Sequence, residues 1–150
     1  LMGGLVSVEG GYLSVLPGML VMGLGMGLTM TPATEAITGA LPREKQGVAS
    51  ALNDVTRELG TALGIASLGT ILTSGYRDAI DARLNGVPAG IADVARQGVA
   101  NAVAHSPSVA RAAQESFVDG WRQSMWVGTG VLAATLGYVL LRWRIDRSER

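Results

Sequence analysis

The chain alternates long uncharged stretches with short charged breaks, and this pattern predicts nearly all of its elements. From Gly10 to Thr34 no residue is charged, which is longer than the roughly 20 apolar residues a membrane-spanning helix needs. A second uncharged run, 59–76, reaches across about 27 Å at 1.5 Å per residue. A third, 123–141, is of similar length. Glu9-Gly10-Gly11 precedes the first run, and Gly39 and Pro42 close it before the charged turn Arg43-Glu44-Lys45. Helices are therefore expected at 13–40, 44–76 and 118–143, with the end of a truncated helix at 1–8. Pro17 is expected in a first helical turn, where its missing N–H costs nothing. Pro32 should kink the last turns, with Thr29 or Thr31 satisfying the carbonyl it frees.

Between 77 and 122 the charges return, balanced in sign. Ile91, Val94, Ala95 and Ala102 recur at helical spacing, while Gly86, Pro88 and Pro107 punctuate the stretch. That pattern predicts an amphipathic loop over 77–117 built of short helical pieces. Trp121 and Trp126 stand at one end of the third run, Tyr138 and Trp143 at the other, in the manner of an aromatic belt. Arg144, Arg147 and Arg150 lie in a basic tail over 144–150, directly after Arg142. Because cytoplasmic loops carry an excess of Lys and Arg, the Arg43/Lys45 turn and this tail are placed in the cytoplasm and the long loop outside. The expected fold class is all-α and integral to a membrane.

Composition supports that reading. The chain is 48% hydrophobic but only 5% aromatic and 16% charged, with 21 glycines. A soluble helical bundle of this composition would expose too much apolar surface, whereas glycine is frequent in transmembrane helices, where it lets backbones approach. A net charge of zero gives no electrostatic case for nucleic acid. The absence of cysteine excludes disulfides, thiolate chemistry and cysteine metal sites. His105 is the single histidine and reads as a surface residue, so no metal or cofactor is expected. Gly23-x-Gly25-x-Gly27 looks like a phosphate loop only superficially: no strand precedes it and no Lys-Ser/Thr follows. No constellation suggests an enzyme. The chain opens on Leu1 with no charged leader, and is expected to be a fragment.

The candidate chemistry lies on the second helix. At about 100° per residue, Ser50, Asp54, Arg57, Glu58 and Thr61 fall on or near one side. Ionisable groups at membrane depth are expensive, are usually paired, and mark ion pathways or proton relays. Two readings stay open. In one, Asp54 and Arg57 pair toward the interior and Glu58, about 6 Å deeper, is the proton-responsive group. In the other, the trio is a structural charge network pinning helices together. Glu35 could join it through Arg43, Lys45 or Arg57. Gly23 with Gly27 and Gly60 with Gly64 are G-x-x-x-G pairs expected to pack closely against other helices. Met19, Met22, Met26 and Met30, at helical spacing, read as packing residues or as a pliable wall for apolar ligands.

The stretch GLGMGLTMTPATEAITGALPREKQGVASALNDVTRELGTALGIASLGTIL closely resembles the final spans of fourteen-span drug:proton antiporters of the major facilitator superfamily. The resemblance rests on the Gly-rich helix with Pro32, the LPREKQG turn, Ala49-Ser50, Asn53, Arg57 and the Gly60/Gly64/Gly69 series. Many members have Arg-Gln followed by paired glycines where this chain has Arg57-Glu58 and Thr61, which adds an acid and removes a glycine. The resemblance implies the twelfth to fourteenth spans with the end of the eleventh, in the plasma (inner) membrane of a bacterium. It implies proton-coupled multidrug efflux and antibiotic resistance, carried out together with missing amino-terminal spans, since sites in this superfamily lie between two halves. Its partners would be the lipid bilayer, protons and a small-molecule substrate. The alternatives are an exporter of one specific metabolite or antibiotic, or a small non-transporting three-helix membrane protein.

Overall fold

The computed structural model describes residues 11–40 and 42–148; the helix end expected at 1–8 lies outside them. Among the described residues every regular element is helical: α1 (Gly11–Gly39), a 3-10 turn (Arg43–Lys45), α2 (Gln46–Arg83), α3 (Ala89–Gln97), α4 (Val99–His105) and α5 (Pro107–Ser148). The chain divides between Ser67 and Leu68 into two compact units, and α2 contributes residues to both.

In the first unit, α1 is one helix with Pro17 and Pro32 both in its interior. Pro17 is thus not in a first turn; the helix already runs from Gly11, so the proline interrupts its ladder. Thr29 does not serve the carbonyl that Pro32 frees, four residues back at Leu28. Its hydroxyl donates instead to the carbonyls of Gly25 (2.8 Å) and Met26 (3.3 Å), the acceptors nearest to it. Thr34, Thr56, Thr73, Thr129 and Thr135 likewise donate to the carbonyl four residues earlier. Such back-bonding lets a hydroxyl be satisfied within its own helix, as hydrocarbon surroundings demand. The turn after α1 is closed by Lys45 N–H donating to the Pro42 carbonyl at 2.9 Å.

The second unit is a helical hairpin with a cap. The last turns of α2 run antiparallel to the first half of α5, and α3 and α4 cover their end. Tyr76, Ile80, Leu84, Ala92, Ala95, Ala102, Val109 and Ala113 form its core. Tyr76, Ile80 and Leu84 repeat every four residues, so burying them requires α2 to continue to Arg83. Pro107 opens α5 at a position where proline's missing N–H is harmless. Both boundaries differ from the expected 76 and 118, because charge returns to the sequence several turns before the helices end or after they begin. Gly86 (φ +83°) and Gly98 (φ +146°) hold the two reversals around α3, conformations that a side chain disfavours.

Two helical stretches, Gly11–Ile37 and Pro107–Ile145, are long and apolar enough to cross a membrane, and only 6% of each apolar window is buried. The core helix of a soluble protein would be mostly buried. α2 falls outside this pair: glycines, threonines and serines dilute its 59–76 run. Trp126, Tyr138 and Trp143 are exposed as a belt requires, whereas Trp121 is half-buried and stacks on Phe117 at 6.5 Å. The fold is all-α and integral to a membrane.

Candidate functional site

α2 carries Asp54, Arg57 and Glu58 on consecutive turns of its first half, and all three are exposed. Among the described residues no ion pair joins Arg57 to either acid. The expected inward-pointing Asp54–Arg57 pair is therefore not formed. On an exposed helix face such a pair gains at most about 1 kcal/mol, which the freedom of two long side chains offsets. Glu35, also exposed, lines an open cavity of about 300 Å³ on α1 with Met30, Thr31 and Thr34. This cavity puts the last methionine of the series beside the acid.

The four expected packing glycines are not where helices meet closely. A Cβ on Gly23, Gly27, Gly60 or Gly64 would find nothing within 4 Å. Close approach occurs instead at Gly75 of α2 and Gly120 of α5. A Cβ on Gly120 would lie 2.5 Å from the Leu72 carbonyl oxygen and 2.8 Å from the Tyr76 nitrogen; one on Gly75 would lie 2.9 Å from Gly120 Cα. Ser116 and Ser124, a turn to either side of Gly120, are fully buried, and Gly128 faces Leu68 one turn further on. The sequence signal was present as Ser116-x-x-x-Gly120-x-x-x-Ser124-x-x-x-Gly128, a small residue on every fourth position. That signal is weak by itself, because only two of its members are glycines and Asp119 and Arg122 lie between them.

Polar contacts fasten the same hairpin. Arg83 donates to Asp119 Oδ2 at 2.7 Å and to Ser116 Oγ at 3.2 Å, and lies 3.8 Å from Glu115, which also pairs with Arg111 at 3.1 Å. Arg96 of α3 donates to Asp81 at 2.7 Å and Asp93 at 3.1 Å, and the hydrogen bond to Asp81 leads the influences that raise its pKa. The Tyr76 hydroxyl donates to the Ala95 carbonyl, tying α2 to the cap. A cavity of about 180 Å³ opens beside this bond, lined by Leu72, Tyr76, Arg77, Gln97 and Phe117 among others. His105 is exposed, its Nδ1 3.1 Å from the Asn101 carbonyl oxygen.

The structure offers two exposed apolar helical stretches, a carboxylate-bearing helix, and a tightly crossed hairpin. Similarity to known proteins gives them a context. The chain is 32% identical over 130 residues to the multidrug efflux pump LfrA of Mycolicibacterium smegmatis, covering 82% of this chain and 25% of the pump. It is 28% identical over 149 residues to the multidrug resistance protein Stp of Mycobacterium tuberculosis, covering 87% and 27%. It is 28% identical over 135 residues to the puromycin resistance protein pur8 of Streptomyces alboniger, covering 90% and 23%. The chain is related to the multidrug efflux transporters of the major facilitator superfamily. It spans about a quarter of the length of these relatives. No protein-family model and no solved structure matches it. The transporter relatives and the two apolar stretches together give the chain a bacterial membrane setting.

Proposed function

We propose that the chain supplies the last three spans of a proton-coupled exporter of drugs or other small amphipathic molecules, acting with further spans of a longer transporter. The observation that carries this is the similarity to efflux and resistance proteins along more than four-fifths of the chain, together with two apolar helical stretches whose surfaces are open to lipid. In this reading α1, the apolar part of α2, and α5 each cross the bilayer. The Arg43–Lys45 turn and the end of α5 lie in the cytoplasm, and α3 and α4 lie outside. Asp54, Arg57 and Glu58 present an exposed charged face, which is expensive against lipid and would therefore be covered by other spans of the transporter. Glu58 is the group we assign to proton coupling, with Asp54, Arg57 and Glu35 as further charges that other spans of the transporter would meet. Gly23, Gly27, Gly60 and Gly64, open to their surroundings, would admit those spans closely.

Glu58→Gln tests the assignment. Drug efflux by vesicles containing the full transporter is compared with wild type between about pH 6 and 8, around the neutral range in which an acid–base group must operate. The variant should insert normally but lose the pH dependence of efflux. A wild-type pH profile with full drug resistance would remove Glu58 from the proton path.

A further inference from the structure

The far end of α5 carries a surface that efflux does not explain. The helix does not stop where its apolar run stops, but continues through Arg142, Trp143, Arg144 and Arg147 to Ser148. Leu136, Leu140, Trp143, Arg144 and Arg147 follow one another at i, i+4, i+7, i+8 and i+11, the spacing of a single helix face. All five are exposed. The Arg147 guanidinium carbon lies over the Trp143 ring, 3.9 Å from its centroid. Among the described residues no carboxylate pairs with Arg144 or Arg147. The stretch 142–150 holds four arginines against Asp146 and Glu149, so its charge is positive.

We propose that this face of α5 binds one anionic phospholipid of the adjoining leaflet. The rise from Leu136 to Arg147 is about 16 Å, close to half of a roughly 30 Å hydrocarbon core. An acyl chain can therefore lie along Leu136 and Leu140 while its glycerol sits at the Trp143 ring and its phosphate between Arg144 and Arg147. Indole rings favour that headgroup depth, and paired guanidinium groups suit a phosphate through short charged hydrogen bonds. Stacking on Trp143 fixes Arg147 in place, so little side-chain freedom is lost when the lipid binds. The proposal depends on α5 crossing the bilayer and not on what is exported, so it is tested without transport.

The full chain in nanodiscs of mixed phosphatidylglycerol and phosphatidylcholine is released into the gas phase, and retained lipid is counted by native mass spectrometry. Wild type should keep one phosphatidylglycerol in preference to phosphatidylcholine. Arg144→Gln or Arg147→Gln should weaken that retention about fivefold, and the double variant about thirtyfold. Arg111→Gln, on the far half of the same helix, should leave it unchanged. Arg144→Lys/Arg147→Lys, which keeps the charge but not the guanidinium fork or its stacking, should retain the lipid better than the double glutamine variant and less well than wild type, which separates loss of lipid from loss of fold. Equal retention of both lipids by wild type would overturn the proposal, as would a double glutamine variant that holds phosphatidylglycerol normally. Displacement of the lipid by millimolar inorganic phosphate would also overturn it, since the site would then be one for a soluble anion.

Discussion

Gly120 is the residue at which this chain has least room for change. Its missing side chain lets the backbones of α2 and α5 touch, and any Cβ there meets main-chain atoms at 2.5 and 2.8 Å. Backbone cannot swing aside as a side-chain tip can, so Gly120→Val should lower thermal stability by about 1–3 kcal/mol or more. Gly64, whose Cβ would meet nothing within 4 Å, is the contrast: within this chain Gly64→Ala should be neutral or slightly stabilising, because alanine is the better helix former. Comparing the melting temperatures of the two purified variants checks this directly. A stability loss at Gly64 as large as that at Gly120 would show that the Gly60/Gly64 face is packed within this chain.

At the scale of elements, the cap formed by α3 and α4 stays on the hairpin through few but specific contacts. Its buried face is mainly alanine: Ala92, Ala95 and Ala102. Each buries little area, so the hydrogen bond from Tyr76 to the Ala95 carbonyl has weight beyond its size. Tyr76→Phe removes the donor and leaves a carbonyl near the end of α3 without it, which should cost about 1–2 kcal/mol. The loss should appear as faster amide hydrogen exchange across 89–105, with the α2–α5 crossing unaffected. The Arg83 contacts to Asp119 and Glu115 are partly solvent-exposed and should contribute less than about 1 kcal/mol, weakening as salt is added.

For the whole molecule, the arrangement across the membrane is the prediction with most consequence. This chain has no cysteine, so a single cysteine introduced into it is its one thiol, and any cysteines elsewhere in a longer transporter are replaced beforehand. If α3 lies outside and the end of α5 in the cytoplasm, Gly90→Cys should react with an impermeant thiol reagent added to intact cells. Ser148→Cys should react only after the membrane is opened. The reverse pattern would invert the topology. Under the proposed function, lipid and further spans of a longer transporter would cover the exposed apolar faces of α1 and α5, in place of a soluble core.

Local composition determined the class of this protein by itself. Uncharged runs of membrane length, the glycine content and the LPREKQG turn are all read within a few residues of one another, and they led to an all-α membrane chain related to drug exporters. Helix ends were less legible: the return of charge at Arg77 marks where the environment changes, but α2 continues because Tyr76, Ile80 and Leu84 have a cap to bury against. The helix crossing was decided only by tertiary structure. G-x-x-x-G is necessary geometry shared by several faces, and which of them meets a partner depends on how distant segments pack. That selected Gly75 and Gly120, together with the Ser116/Ser124 stripe, and left Gly60 and Gly64 open. The Asp54–Arg57 pair failed for the same reason: helical spacing brings two charges within reach of each other, while only burial makes their pairing worth its entropy.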